Sequence, residues 1–250
     1  MPGPSAAVSF VIGRREGGLD DGPTARIGRY RALDGSSGAA LHLDLDGPHA
    51  LLVVGKRGYG KSYTLGVIAE ALARSAPIAP VIADPMGVFP TLAERSAGER
   101  VPAEVITTPQ LRSTALDPRS WCALLSLSPE SGAGGLVWQA AQHERTLDAM
   151  RGHVADTDAP GTDKRAATNH LDLADAWGIF DPEGLDARAL AGPEVSVIDV
   201  STLSAAPMNA VVRGVGEALY RARVTGAIQR LPWFLVDEAH TFFQGVGKSA

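Results

Sequence analysis

Apolar and polar positions along this chain follow two periods. Short apolar runs bounded by turn residues occur at Ala50–Val54, Val81–Ala83, Glu104–Ile106, Val195–Val200 and Trp233–Val236. Their length and flanks are those of strands buried on both faces. The segments between them carry a longer period. Leu65, Ile68, Ala69 and Leu72 fall at i, i+3, i+4 and i+7, as do Met208, Val211, Val212, Val215, Leu219 and Ala222 in a second segment. Each set makes one apolar helix face, and Pro207 is tolerated because it falls in a first turn. Strands alternating with helices from His49 onward predict an α/β layer with a mainly parallel sheet.

The remainder of the pattern divides the chain. Residues 1–46 carry two β-type runs, Val8–Ile12 and Leu41–Leu45, separated by the turn-rich stretches EGGLDDGPT and DGSSG, and read as a small β-rich segment. Residues 47–250 read as the α/β core. Within it, about 110–190 lacks a strong strand but holds two helical stretches, roughly 133–153 and 163–178, broken at ADTDAPGTDK. This is expected to be a helical insertion.

Composition narrows the function classes. The 250 residues include 23 basic and 28 acidic side chains, a net charge of −5. That balance argues against a protein that coats nucleic acid with its whole surface and leaves room for a local basic groove. Cys122 is the only cysteine, so the chain can form no intrachain disulfide and no cysteine-based zinc site, which fits a reducing cytosol. The N-terminus has no basic segment before its apolar run, and no run approaches the ~18 residues needed to span a bilayer. The expectation is a cytoplasmic protein without membrane partners.

The stretch GKRGYGKS satisfies G-x-x-x-x-G-K-[ST] with Gly55, Gly60, Lys61 and Ser62. A predicted strand leads in and an amphipathic helix leads out, so backbone amides and the positive helix end can converge on a phosphate chain. Gly55, Gly58 and Gly60 allow unusual dihedrals and close approach. Lys61 would neutralise β- and γ-phosphate oxygens, and Ser62 would place its hydroxyl on Mg²⁺. Tyr63 joins the nucleotide-contact set. The second GKS, in GVGKSA at 245–250, has Phe242 where the first glycine is required and is read as a decoy.

Hydrolysis needs a carboxylate at a strand end to hold Mg²⁺ and a second to orient water. Three strands end in Asp, at Asp84, Asp199 and Asp237, and only Asp237 is followed by a second carboxylate, Glu238. Asp237 is assigned to the metal and Glu238 to the catalytic base. Asp84 and Asp199 read first as turn-initiating residues, with Asp84 also placed at the crevice end of a parallel strand. His240 is read as a structural histidine or as a residue that senses the γ-phosphate or couples to a neighbour, and His143 and His153 as surface or packing residues. Arg213, Glu217 and Arg221 share a helix face where i,i+4 pairing suffices, with a DNA-contacting or trans-acting arginine role as the alternative.

With those residues in place, the chain resembles the HerA/FtsK branch of P-loop ATPases, most closely the archaeal HerA-like ATPases. The likeness rests on HALLVVGKRGYGKSYTLGVIAEAL (49–72), VIADPMGVFPTL (81–92), VSVIDVSTL (195–203) and LPWFLVDEAHTFF (231–243). It implies a RecA-like P-loop core in which the catalytic Glu strand lies between the P-loop strand and the metal-Asp strand. It further implies ATP and Mg²⁺ as ligands, homo-oligomeric, hexameric rings, double-stranded DNA as the track of a translocase or helicase, and a nuclease partner. Gly87 is followed by Val88 where the family carries an acid, and the family's sensor strand and Arg-containing stretch are expected to be missing. The leading reading is an ATP-hydrolysing motor domain. The alternatives are an ATP-binding module without turnover and, ranked lower, a DEAH-type helicase fragment.

Overall fold

The computed structural model describes residues 9–93 and 102–242. Val8 and the GVGKSA stretch lie outside them. Strands β1 (Ser9–Ile12), β2 (Thr24–Arg31) and β3 (Ser37–Asp44) form a sheet in the order β1-β3-β2, with β1 parallel and β2 antiparallel to β3. No apolar run predicts β2, because its TARIGRYR sequence is interrupted by Arg and Gly, and its register slips beside Gly28 and again before Arg31. The inward residues Ala25, Leu43 and Leu45 still pack on the larger domain.

The core continues through α1 (Lys61–Ala73), β4 (Ile78–Asp84), β5 (Ala103–Ile106), α2 (Pro118–Leu124), α3 (Gly132–His143), α4 (Leu147–Asp156), α5 (Gly161–Asp175), α6 (Ala187–Leu190), β6 (Val195–Asp199), α7 (Ala205–Val224) and β7 (Leu231–Val236). The four strands form an all-parallel sheet in the order β5-β6-β4-β7. Every β4 residue is buried, because helices cover both faces. Ile68, Ala69 and Leu72 of α1 pack against Ile78, Ile82 and Val197 on one side. Val211, Val215 and Leu219 of α7 pack against Val81, Ala83 and Ile198 on the other. Both predicted apolar faces therefore meet the sheet.

One predicted strand does not form. Residues 50–54 form no strand, and among the described residues β7 pairs only with β4. The segment lies across a cavity of about 870 Å³ from β7, and Leu51, Leu52 and Val54 are 48, 79 and 76% exposed. A continuous apolar run suits a strand with neighbours on both edges and helices on both faces. Among the described residues this one has neither. Since β7 is an edge strand, Pro232 is tolerated within it despite lacking a backbone donor. The implied placing of a catalytic strand between a P-loop strand and a metal strand is therefore not formed: Asp237 and Glu238 follow one another at the end of β7, and no P-loop strand enters the sheet.

The insertion is helical, with its own core of Trp121, Leu136, Val137, Met150, Val154 and Leu171. The predicted 133–153 stretch is two helices, because Thr146 interrupts it by accepting a hydrogen bond from the Ala149 amide and capping α4. The second stretch ends earlier than predicted, at Asp175. No apolar period in the sequence predicts helix α2. It starts on Asp117, which accepts from the Ser120 amide, with Pro118 in the first turn.

Candidate functional site

The loop Gly55–Gly60 leads directly into α1. Gly58 and Gly60 have φ of +81° and +82°, a left-handed geometry that a β-carbon disfavours, whereas Gly55 lies outside that region. Gly60 caps α1 without a side-chain hydrogen bond, so the first amides of the helix keep their donors for another acceptor. The same end carries the positive pole of the helix dipole. Lys61 opens the helix, its Nζ reaching only the Lys56 carbonyl at 3.5 Å. Tyr59 and Tyr63 stand exposed beside the loop. Together the helix-start amides and the Lys61 ammonium make a cation and amide surface of the kind that suits an anionic chain.

The end of β7 meets this surface. Ser62 Oγ donates to Asp237 Oδ2 at 2.8 Å, although no sequence pattern specifies that distance. Asp237 is 2% exposed, and its Oδ1 accepts from the Glu238 amide at 2.9 Å. Glu238 adopts a left-handed conformation at φ +45° and its carboxylate pairs with His240 Nδ1 at 3.2 Å. Among the described residues there is no cluster of three or more His, Cys, Asp or Glu side chains able to hold a metal. A hydroxyl and one carboxylate oxygen side by side nevertheless match Mg²⁺, which takes few protein ligands and completes its shell with phosphate and water oxygens.

The other two strand-end aspartates serve turns. Asp84, fully buried, accepts from the amides of Met86 and Phe89 at 3.2 and 2.8 Å and so shapes the loop after β4. Asp199 accepts from the amide and hydroxyl of Ser201 at 2.9 and 2.6 Å. Both carboxylates accept from groups of the turn that follows their own strand.

The i,i+4 pairing expected on α7 is not made. Instead Glu217 accepts from the Asp117 amide at 2.9 Å and from the Ser120 hydroxyl, while Arg213 donates to the same hydroxyl at 3.2 Å. Arg221 donates to the Thr114 carbonyl at 2.9 Å. A carboxylate at the start of α2 is favoured by the helix dipole, so this row fastens the insertion to the core. His143 and His153 stack with centroids 5.6 Å apart, and His153 pairs with Glu144 at 3.2 Å, consistent with packing roles. Cys122 is buried, and that burial pushes its thiol above the usual range.

A cluster that sequence inspection missed flanks the cavity. Arg14 Nε donates to Asp44 Oδ1 at 2.9 Å, and His49 Nε2 meets Asp44 Oδ2 at 3.1 Å. His49 lines the cavity, with its ring 5.9 Å from Trp233 on β7. Burial opposes ionisation of Asp44, but the hydrogen bonds and charge of Arg14, helped by His49, outweigh it and hold the carboxyl below its ordinary range. Only the spacing of Asp44 and His49 around a turn hinted at the pair, while Arg14 is too distant in sequence to foresee. Among the described residues, no helix is long and apolar enough to cross a membrane. No protein-family model matches the chain, and no curated protein matches it.

Proposed function

We propose that this chain binds Mg-ATP on Gly55–Ser62 and hydrolyses it, as a RecA-like motor domain of HerA type acting on double-stranded DNA. The observation that carries the reading is the Ser62–Asp237 contact at 2.8 Å, because it brings together, from segments 175 positions apart, the two residues that such a metal–nucleotide site would need. The free amides at the start of α1 and the Lys61 ammonium would hold the β- and γ-phosphates. Ser62 and Asp237 would hold Mg²⁺, which supplies charge neutralisation to those phosphates. Glu238 would orient the attacking water and take its proton as the bond to ADP breaks. DNA contacts belong to the same proposal through the family resemblance.

A second reading, ATP binding without turnover, is favoured by one observation: residues 50–54 do not join the sheet, so the phosphate loop is tethered to β7 by side chains alone. Steady-state ATPase assays with and without duplex DNA separate the two. The motor reading expects Mg-dependent turnover that rises with DNA, and a Glu238→Gln variant that retains nucleotide but loses at least about 100-fold in kcat. Nucleotide binding with no turnover in the unaltered protein selects the second reading.

A further inference from the structure

We infer that His240 is a positioning residue that fixes the Glu238 carboxylate for water activation, an inference that rests on the ATPase reading above. Three features converge on the pair. Glu238 is one of only two non-glycine residues with positive φ among those described, the other being Ser126. A left-handed glutamate has no intrinsic preference for that conformation, and such strained positions concentrate where a side chain must be aimed. The bend is held from both sides. Asp237 Oδ1 accepts from the Glu238 amide at 2.9 Å, while the Thr241 amide donates to the Glu238 carbonyl at 2.8 Å, closing a single helical turn over Ala239–Thr241. Phe242 then anchors that turn in the core beneath α7.

The turn places His240 two residues beyond Glu238, where its Nδ1 reaches Oε2 at 3.2 Å. Both residues line the cavity that also contains Lys61. No other ion pair engages Glu238 among the described residues, and Lys61 points its Nζ at the Lys56 carbonyl instead. An ionised carboxylate only accepts hydrogen bonds. His240 lies beside Oε2, and among the described residues Oε1 has no side-chain partner, which leaves it open to water. The imidazole, 73% exposed, acts on the reaction through Glu238, since a general base works only when its oxygen is held within reach of the proton. Without the histidine, Glu238 would still be present, but its carboxylate would lose its one ion-pair partner among the described residues.

The test measures ATP binding, kcat and KM for the full chain and for His240→Ala, His240→Asn and the Glu238→Gln/His240→Ala pair, with thermal melts to confirm folding. The alanine variant is expected to lose kcat by on the order of 10- to 100-fold, the range typical of groups that orient a site residue, with KM and ATP binding unchanged. Asparagine, whose amide can donate from near the Nδ1 position, is expected to restore most of that loss. The double variant is expected to be no slower than Glu238→Gln alone. An alanine variant with unaltered kcat overturns the inference, as does a loss shared equally between kcat and KM, an asparagine variant as slow as alanine, or additive losses in the double variant. If the unaltered chain binds no ATP, the parent reading falls and takes this inference with it. Turnover in the unaltered chain with a silent His240→Ala overturns this inference alone.

Discussion

The Ser62 hydroxyl donates to Oδ2 of Asp237, joining the first turn of α1 to the end of β7 across 175 positions of sequence. Both groups lie at the carboxyl end of a parallel sheet, where crevices in α/β folds collect ligands. Substituting Ser62→Ala leaves a buried carboxylate oxygen without its donor. It is expected to lower stability by about 1–3 kcal/mol and to raise the Mg²⁺ concentration needed for nucleotide binding. Urea melts and Mg²⁺ titrations of ATP binding read the two effects separately.

Asp84 looks as catalytic in sequence as Asp237, yet its carboxylate is spent on the Met86 and Phe89 amides. Asp84→Asn replaces one acceptor with a donor facing an amide. The expected outcome is a loss of about 1–3 kcal/mol in denaturant stability, with Mg-ATP affinity unchanged in the folded fraction. A selective loss of nucleotide affinity at full stability would instead place Asp84 in the site.

Gly134 tests the packing of the insertion. A β-carbon built there falls 1.8 Å from the Ser128 carbonyl oxygen, whereas one at Gly135 meets its nearest neighbour, the Pro129 carbonyl oxygen, at 3.5 Å. Gly134→Ala is therefore expected to cost about 1–3 kcal/mol by overpacking, and Gly135→Ala to be neutral or slightly stabilising through its helix propensity. Urea midpoints of the two variants compare them directly.

The Asp44 carboxyl, held below its ordinary range, supplies an acid-sensitive joint between the small sheet and the core. A depressed folded value means that its stabilisation is present above the unfolded value of about 3.9 and is lost as pH falls through the folded value. Trp233 emission is expected to register this loss below about pH 4, because His49 bridges Asp44 to that ring. Asp44→Asn should remove the acid step and lower stability at neutral pH.

Much of the architecture was legible because periodicity reports burial. The strands around Val81, Val105, Val197 and Leu235 and the apolar faces of α1 and α7 all appear where their patterns place them. Strand β2 was hidden because Gly28 breaks the alternation that Ala25 and Ile27 begin and leaves no apolar run, while its pairing depends on β3 rather than on its own composition. Ala50–Val54 misled for the converse reason: an apolar run states a need for burial, and only neighbouring strands can meet it. At the candidate site, residue types and their order were readable, but the Ser62–Asp237 distance and the left-handed bend at Glu238 are tertiary facts. Glu217 likewise found partners in α2 that helix spacing alone could not indicate.

The most direct measurement is a calorimetric titration of the folded chain with ATP in the presence of Mg²⁺, repeated with Lys61→Ala. The account expects one saturable site in the unaltered chain and a loss of at least about tenfold in affinity, some 1.4 kcal/mol, when the Lys61 ammonium is removed. No binding to the unaltered chain, or binding that Lys61→Ala leaves intact, would contradict a nucleotide site on this loop.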